Sequence, residues 1–261
     1  MLPDTERTTQ TIYKVTGPNG ESCHGGSMGW ALPTQHDDGS WTPGEWMSVT
    51  GDLILCQNAL HLTDQPAAWY QEGTVCWRAE YRGETVGELT GDSESKIGVR
   101  EARLLAPVEW DSVGVWTTGK HTLRTGVGRA SGSTTVGAYG STTVYASDSA
   151  TVDAYGSTTV DASGSAMVYA YGSATVYASG SAMVDAYDSA TVHASDSATV
   201  HASGSATVDA YDSATVHAYG SATVISMPWH SNSAQVALSQ MAVHVDRRGS
   251  TVVCRTAKVV S

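Results

Sequence analysis

From Ser133 to Gly220 small apolar and polar residues alternate without interruption. They run in units of eight that read S-A-T-V-x-A, then Tyr or Ser, then Gly or Asp. Eleven such octads follow one another, and a partial twelfth, "SATVI", closes the array. A period of two predicts strands rather than helices. A short unit repeated at fixed spacing predicts a solenoid, in which each unit buries its apolar face only against its neighbours. The Gly or Asp followed by Ser predicts a turn between consecutive strands.

Parity assigns the faces. Side chains two apart point the same way, so Ala, Val and Ala at positions two, four and six form one set, and positions three, five and seven the other. The first set belongs inside, because a thin core cannot take the Asp and His found at position five without partners for them. One octad then buries a single valine, worth roughly 1.5–3 kcal/mol, against roughly 1–2 kcal/mol of backbone entropy per ordered residue. Stability has to come from stacking. Position seven runs Tyr139, Ser147, Tyr155, Ser163, Tyr171, Ser179, Tyr187, Ser195 and then loses phase. This alternation predicts two octads, and so two strands, per coil, with Tyr139, Tyr155, Tyr171 and Tyr187 in one file. The rod would be about 26 Å long at ~4.8 Å per rung. A triangular coil of three octads is the alternative. At position three the even octads carry an unbroken file, Thr143, Thr159, Thr175, Thr191, Thr207 and Thr223, whereas Met167 and Met183 interrupt the odd one.

The flanks follow other patterns. "TIYKVTG" reads as a strand ending in a Gly-Pro-Asn-Gly turn. "GDLILCQNALHLTDQPAAWYQEG" gives a strand, a link and a short helix after Pro66, and "TVCWRAEYRG" and "SKIGVREARLL" give two further strands. All eight tryptophans lie outside the octads, seven of them before residue 117, and are expected to fill the core of this part. After the array, "SMPWHSNSAQVALSQMAVHVDRRGSTVVCRTAKVVS" keeps only "SAQV" and "STVV" of the octad, and reads as the cap that a solenoid end needs, with Trp229 over the last rung. The expected fold is therefore mainly β: a small N-terminal α+β module (1–120), a β-solenoid whose strands each span one octad, two octads making a coil of sixteen (121–225), and a C-terminal cap (226–261).

Charge narrows the partners. The formal net charge is −12, and residues 133–220 contain eight aspartates but no Lys, Arg or Glu. An acidic, base-free rod repels phosphate backbones, so no nucleic-acid partner is expected. The cap carries Arg247, Arg248, Arg255 and Lys258 beside that acidic rod. The start, "MLPDTERTTQ", has neither a basic n-region nor an apolar h-region, and no run of 18 apolar residues exists. No secretory signal and no membrane span are expected, and the location is read as cytoplasmic or virion-associated.

Candidate chemistry is sparse. Cys23, Cys56, Cys76 and Cys254 form no CxxC pair and read as free thiols, and the set Cys23, His24, Cys56, His61 lacks diagnostic zinc spacing. Stacking puts Asp185, His201 and His217 in one position-five column, a ligand set on paper. Yet Asp, His and Tyr codons differ only in their first base, and Tyr/Ser and Gly/Asp are also one-base changes. Drift at exposed positions accounts for them all, and no metal or cofactor is expected. His61 reads as a structural histidine, and Glu80 and Glu84 with Arg78 and Arg82 as solvated alternation on an edge strand. There is no phosphate loop, nucleophile elbow or HExxH.

Three resemblances add to this. The "AYGSTTV" and "AYGSATV" units resemble the repeats of bacterial ice nucleation proteins, which implies a β-solenoid and, for that family, an outward T-x-T pair that orders water. Aligned through Tyr-Gly-Ser, the two family threonines fall on positions two and four, where only Thr134, Thr142 and Thr158 are threonine. The position-three file from Thr143 to Thr223 is the remaining candidate for ordering water. Tyr13-Lys14, "GEW", Leu53 to His61, Trp77 to Glu84 and Lys96 to Trp110 resemble, in that order, an uncharacterised domain of actinobacterial and phage proteins. "LHLTDQPAAWY" is distantly similar to a strand and helix of small ADP-ribosyltransferases, without a matching catalytic glutamate or complete His-Tyr pair. The expectation is a non-enzymatic structural or protein-interaction protein that pairs with itself or another protein through Tyr139, Tyr155, Tyr171 and Tyr187. The alternatives are an ice-binding, water-ordering protein and an ADP-ribosyltransferase-like enzyme in the first module.

Overall fold

The computed structural model describes residues 11–23, 28–227, 233–248 and 253–256, and these form two compact units, Met1–Gly114 and Val115–Ser261. The first unit is an antiparallel sheet in the order Ile12–Thr16, Val75–Glu88, Lys96–Val108, Met47–Ser48, with Leu60–Leu62 also paired to Lys96–Val108. Its frame is the long hairpin of Val75–Glu88 and Lys96–Val108, whose register shifts at Arg78/Ala79 and again at Arg82/Thr85. Strand Val75–Glu88 is flanked on both sides only along Val75–Ala79, where Ile12–Thr16 pairs with it; from Glu80 onward it pairs with Lys96–Val108 alone and is an edge, as expected for Glu80, Arg82 and Glu84, whereas Arg78 lies in the flanked part. Its charged residues answer Lys96–Val108 in ion pairs: Glu80 with Arg103, Arg82 with Glu101, and Glu84 with Arg100 at 2.6 Å. Ile12, Leu60, Leu62, Trp77, Val99 and Leu104 make the core. Of the tryptophans expected there, Trp30 and Trp77 are buried, while Trp46 lies under the guanidinium groups of Arg82 and Arg103.

The helix expected after Pro66 is a single 3-10 turn, Pro66–Trp69, and the described residues contain no α-helix. Tyr70 already returns to extended backbone (φ −61°, ψ 135°), so four residues are all the turn receives. Pieces this short adopt 3-10 geometry. The module is antiparallel β with two such turns.

The second unit is a two-sided parallel solenoid. Thr143–Ala146, Thr159–Ala162, Thr175–Ala178, Thr191–Ala194, Thr207–Ala210 and Thr223–Ser226 lie in one sheet; Thr135–Gly140, Thr151–Gly156, Met167–Ala170, Met183–Ala186, Thr199–Ala202 and Thr215–Ala218 lie in the other. Each residue of the array pairs with its equivalent two octads on, as in Val144↔Val160 and Val152↔Val168, so one coil takes sixteen residues. The parity assignment holds: Val136 to Val224 at position four and Ala138 to Ala218 at position six are buried, at 0–2% exposure. The array also begins earlier than residue 121. Val115–Trp116 and Lys120–Leu123 are already rungs, one on each face.

Those first rungs abandon the octad because they close the rod. Trp116 pairs with Ala130 and belongs to the solenoid core, with the His121 ring stacked on it at 4.7 Å. Gly128 stands where the next rung has Val144, and a Cβ there would come within 2.9 Å of the Trp116 ring. The indole occupies the valine's place. At the other end Gln235–Leu238 and Val243–Asp246 extend the two sheets as further rungs, and Val253–Thr256 adds antiparallel to the last. The segment expected as a separate cap is thus mostly more solenoid; Trp229 and Lys258 lie outside the described residues. His244 is buried at the place of Val224, and its Nε2 is 2.8 Å from the buried Ser226 Oγ.

Position eight has a requirement of its own. From Gly140 to Gly220 every residue there has φ between 47° and 76°. Glycine enters this left-handed region freely and Asp more easily than most residues, which favours both there. Asp adds a bond between coils: the carboxylates of Asp148, Asp188 and Asp196 accept from the N–H of Gly132, Gly172 and Gly180 at 3.3, 3.1 and 3.0 Å. Any change at this position is therefore filtered by conformation.

Candidate functional site

The tyrosine file sits at a corner of the coil, immediately after the inward alanine of position six. Tyr139, Tyr155, Tyr171 and Tyr187 stack with ring centroids 5.0 Å apart and planes within 12°, 8° and 7° of parallel. The Arg124 guanidinium covers the outer face of Tyr139 at 4.9 Å, and Ser203 follows Tyr187 in the column. Each interior ring therefore has both faces against neighbours and shows its edge and hydroxyl to solvent. Tyr139 and Tyr155 remain 37% and 36% exposed. Desolvation, reinforced by Asp153 and the adjacent tyrosines, raises the Tyr155 hydroxyl above its ordinary pKa.

Thr143, Thr159, Thr175, Thr191, Thr207 and Thr223 lie in unbroken parallel register on the other sheet, half-buried and facing out. The next column on that face is position five, and it is not indifferent to its neighbours. Tyr177 stacks on His193 at 4.9 Å, and His193 Nδ1 lies 3.1 Å from an Asp209 carboxylate oxygen. On the opposite face His201 Nδ1 meets Asp185 at 2.9 Å, and His217 leans over the His201 ring at 5.2 Å. The Asp185-His201-His217 column is thus a ladder of pair contacts. Among the described residues no group of three His, Cys, Asp or Glu is arranged to hold a metal. His24, of the cysteine–histidine set, lies outside the described residues. Cys76 is buried, which pushes its thiol up to about 12, and Cys56 and Cys254 are exposed.

His61 accepts a backbone hydrogen bond, as a structural histidine does, and also faces an opening. It borders a cavity of about 410 Å³ in the N-terminal module, with Lys14, Lys96, Trp30, Trp69 and Tyr13 among the other lining residues. Strand Ile12–Thr16 carries Lys14 to one wall, where its ammonium lies 5.0 Å over the Trp30 ring; Lys96, at the start of its own strand, lies 5.1 Å over Trp69. Burial lowers the Lys14 pKa to about 8. Burial first, then the charges of Lys14 and Lys96, also lower His61, whose Nε2 accepts the Cys56 N–H at 2.8 Å. Pattern reading missed Lys14 and Lys96. The signal available was a lysine within one half-buried strand and another at the start of a second.

Comparison with known protein families, with curated proteins and with solved structures finds no match for this chain. The geometry itself defines the class: a two-sided parallel β-solenoid, two octads to the coil, joined to a small antiparallel β module. No helix among the described residues is long and apolar enough to cross a membrane.

Proposed function

We propose that this chain is a structural, protein-interaction protein in which the solenoid is a stiff rod and the tyrosine edge its self-association surface. The observation that carries this reading is the stacked ladder. Four aromatic side chains held in one orientation have already lost most of their rotamer freedom, so docking against them costs little further ordering. Tyrosine edges and hydroxyls combine apolar area with a polar tip, the chemistry enriched at protein interfaces. Replacing Tyr139, Tyr155, Tyr171 and Tyr187 together by Ser copies the residue that the opposite corner carries at Ser147, Ser163 and Ser179, so the rod should survive. Sedimentation equilibrium at tens of micromolar, a threshold of roughly −6 kcal/mol, should find the wild type associated and the variant monomeric. A monomeric wild type sinks the proposal.

A second reading rests on the unbroken threonine file. Six outward threonines in register at ~4.8 Å spacing offer a regular row of hydroxyl and methyl groups to water. A water-ordering protein would raise the freezing temperature of buffer droplets, and Thr175→Lys with Thr191→Lys would abolish the rise. Droplets that freeze as buffer does would eliminate this reading.

A further inference from the structure

We propose that the cavity of the N-terminal module binds a small aromatic anion, a carboxylate or phosphate monoester carried on a flat apolar body. The argument starts from charge. The chain has a formal net charge of −12, yet no Asp or Glu lines this cavity among the described residues, while Lys14, Lys96 and His61 do. Two ammonium groups around one concavity repel each other and hold His61 neutral, and the depressed pKa of His61 records both lysine charges after the effect of burial. An anion placed among them cancels that repulsion, in surroundings where charge is screened less than on open surface.

Hydrogen-bonding capacity points the same way. His61 Nε2 is occupied by the Cys56 N–H, so a neutral ring carries its proton on Nδ1 and has only a donor left to offer. Two ammonium groups and one N–H donor select an anion and reject a cation. Shape supplies the rest. A volume of about 410 Å³ suits a small molecule, larger than a bare inorganic ion requires. Trp30 and Trp69 each lie beneath a lysine ammonium, so a flat ligand meets an aromatic wall and a positive charge together.

Titration calorimetry on the full chain with four probes tests this. Phenyl phosphate and benzoate should each bind at one site per chain, benzylamine should not bind, and inorganic phosphate should bind at least ~10-fold more weakly than phenyl phosphate, for want of an apolar body. The stronger of the two aromatic anions identifies the headgroup. Lys14→Met and Lys96→Met should each weaken binding ~10–100-fold, the value of one charge-assisted hydrogen bond, with the circular dichroism spectrum unchanged. Lys120→Met, in the solenoid, should bind like wild type. Lys96 is the decisive position if Lys14→Met fails to fold. The proposal is overturned if neither aromatic anion binds saturably at millimolar concentration, if benzylamine binds as well as benzoate, or if a folded Lys96→Met binds like wild type. Inorganic phosphate as tight as phenyl phosphate would overturn the aromatic part.

Discussion

The two units bury apolar surface with opposite inventories. The module uses large, unlike side chains, and Leu60, Leu62, Trp77 and Leu104 each have neighbours of their own. The solenoid repeats alanine and valine, and each inward residue packs beside its own equivalent one coil away. In the solenoid a local period therefore encodes tertiary contact directly. In the module the contacts depend on a hairpin that shifts register twice, which no period records. The solenoid is redundant but unforgiving of anything unlike its neighbours; the module is irregular and leaves room for a cavity.

The contrast can be broken, and the largest effect belongs to the solenoid. Val176→Asp places a carboxylate at 0% exposure in a core built of alanine and valine, and should cost more than ~4 kcal/mol. Thr175→Asp, one residue away and facing out, should cost under ~1 kcal/mol. Equal losses in thermal unfolding would mean that the two sets of side chains are not separated as described. In the module, Leu104→Ala leaves a hole among unlike neighbours and should cost ~2–5 kcal/mol, read from the denaturant midpoint of tryptophan fluorescence. A loss below ~1 kcal/mol would show that the module repacks more freely than its irregular core implies.

A smaller effect should have the opposite sign. Thr134 Oγ1 is buried without a hydrogen-bond partner, whereas Thr158 Oγ1 donates to the Tyr155 carbonyl at 2.8 Å. Thr134→Val keeps the shape, removes the stranded hydroxyl and should stabilise the rod by ~1 kcal/mol. A lower melting temperature would contradict it. The smallest effect concerns pH at the C-terminal rungs. Burial pulls the His244 pKa below its usual value, opposed by Asp246 and reinforced by Arg255 and Arg248. Below ~6.5 the unfolded chain then holds more protons than the folded one, so stability falls as pH drops from there through the folded value. Amides of 223–226 and 243–246 should lose exchange protection at pH 5 relative to those of 159–162. His244→Gln should remove most of that difference, and an unchanged difference would assign it elsewhere.

How much is legible follows from the same contrast. Strand, inward face, coil length and the tyrosine file can all be read from the octads, because period and parity are the fold. Position eight misleads: a one-base difference explains Gly against Asp, but the left-handed backbone angle, invisible in the sequence, adds a conformational filter. The solenoid starts before the octads announce it, since Trp116 and Gly128 close the rod by departing from the pattern that identifies it. In the module the strands of residues 11–17, 74–83 and 95–105 are legible. The 3-10 turn, the pairing of Ile12–Thr16 with Val75–Ala79 and the cavity are not, because strand order and the meeting of Lys14 with Lys96 and His61 arise from pairings far apart in sequence.

Both sheets of the rod bury the same Ala-Val-Ala triplet, so its interior has a reading frame of one octad while its surface has a frame of two. Inserting or deleting one octad leaves the interior layers intact and exchanges the two faces for every rung beyond. Position seven shows how the surface can change over an unchanged interior: the tyrosine column is interrupted at Ser203 and resumes at Tyr219, and Tyr211 stands half a coil away, in the column that held Ser147, Ser163, Ser179 and Ser195. Steps of two octads lengthen the rod, and steps of one repaint it. What the rod displays can thus change by duplication alone, without a single substitution in its core.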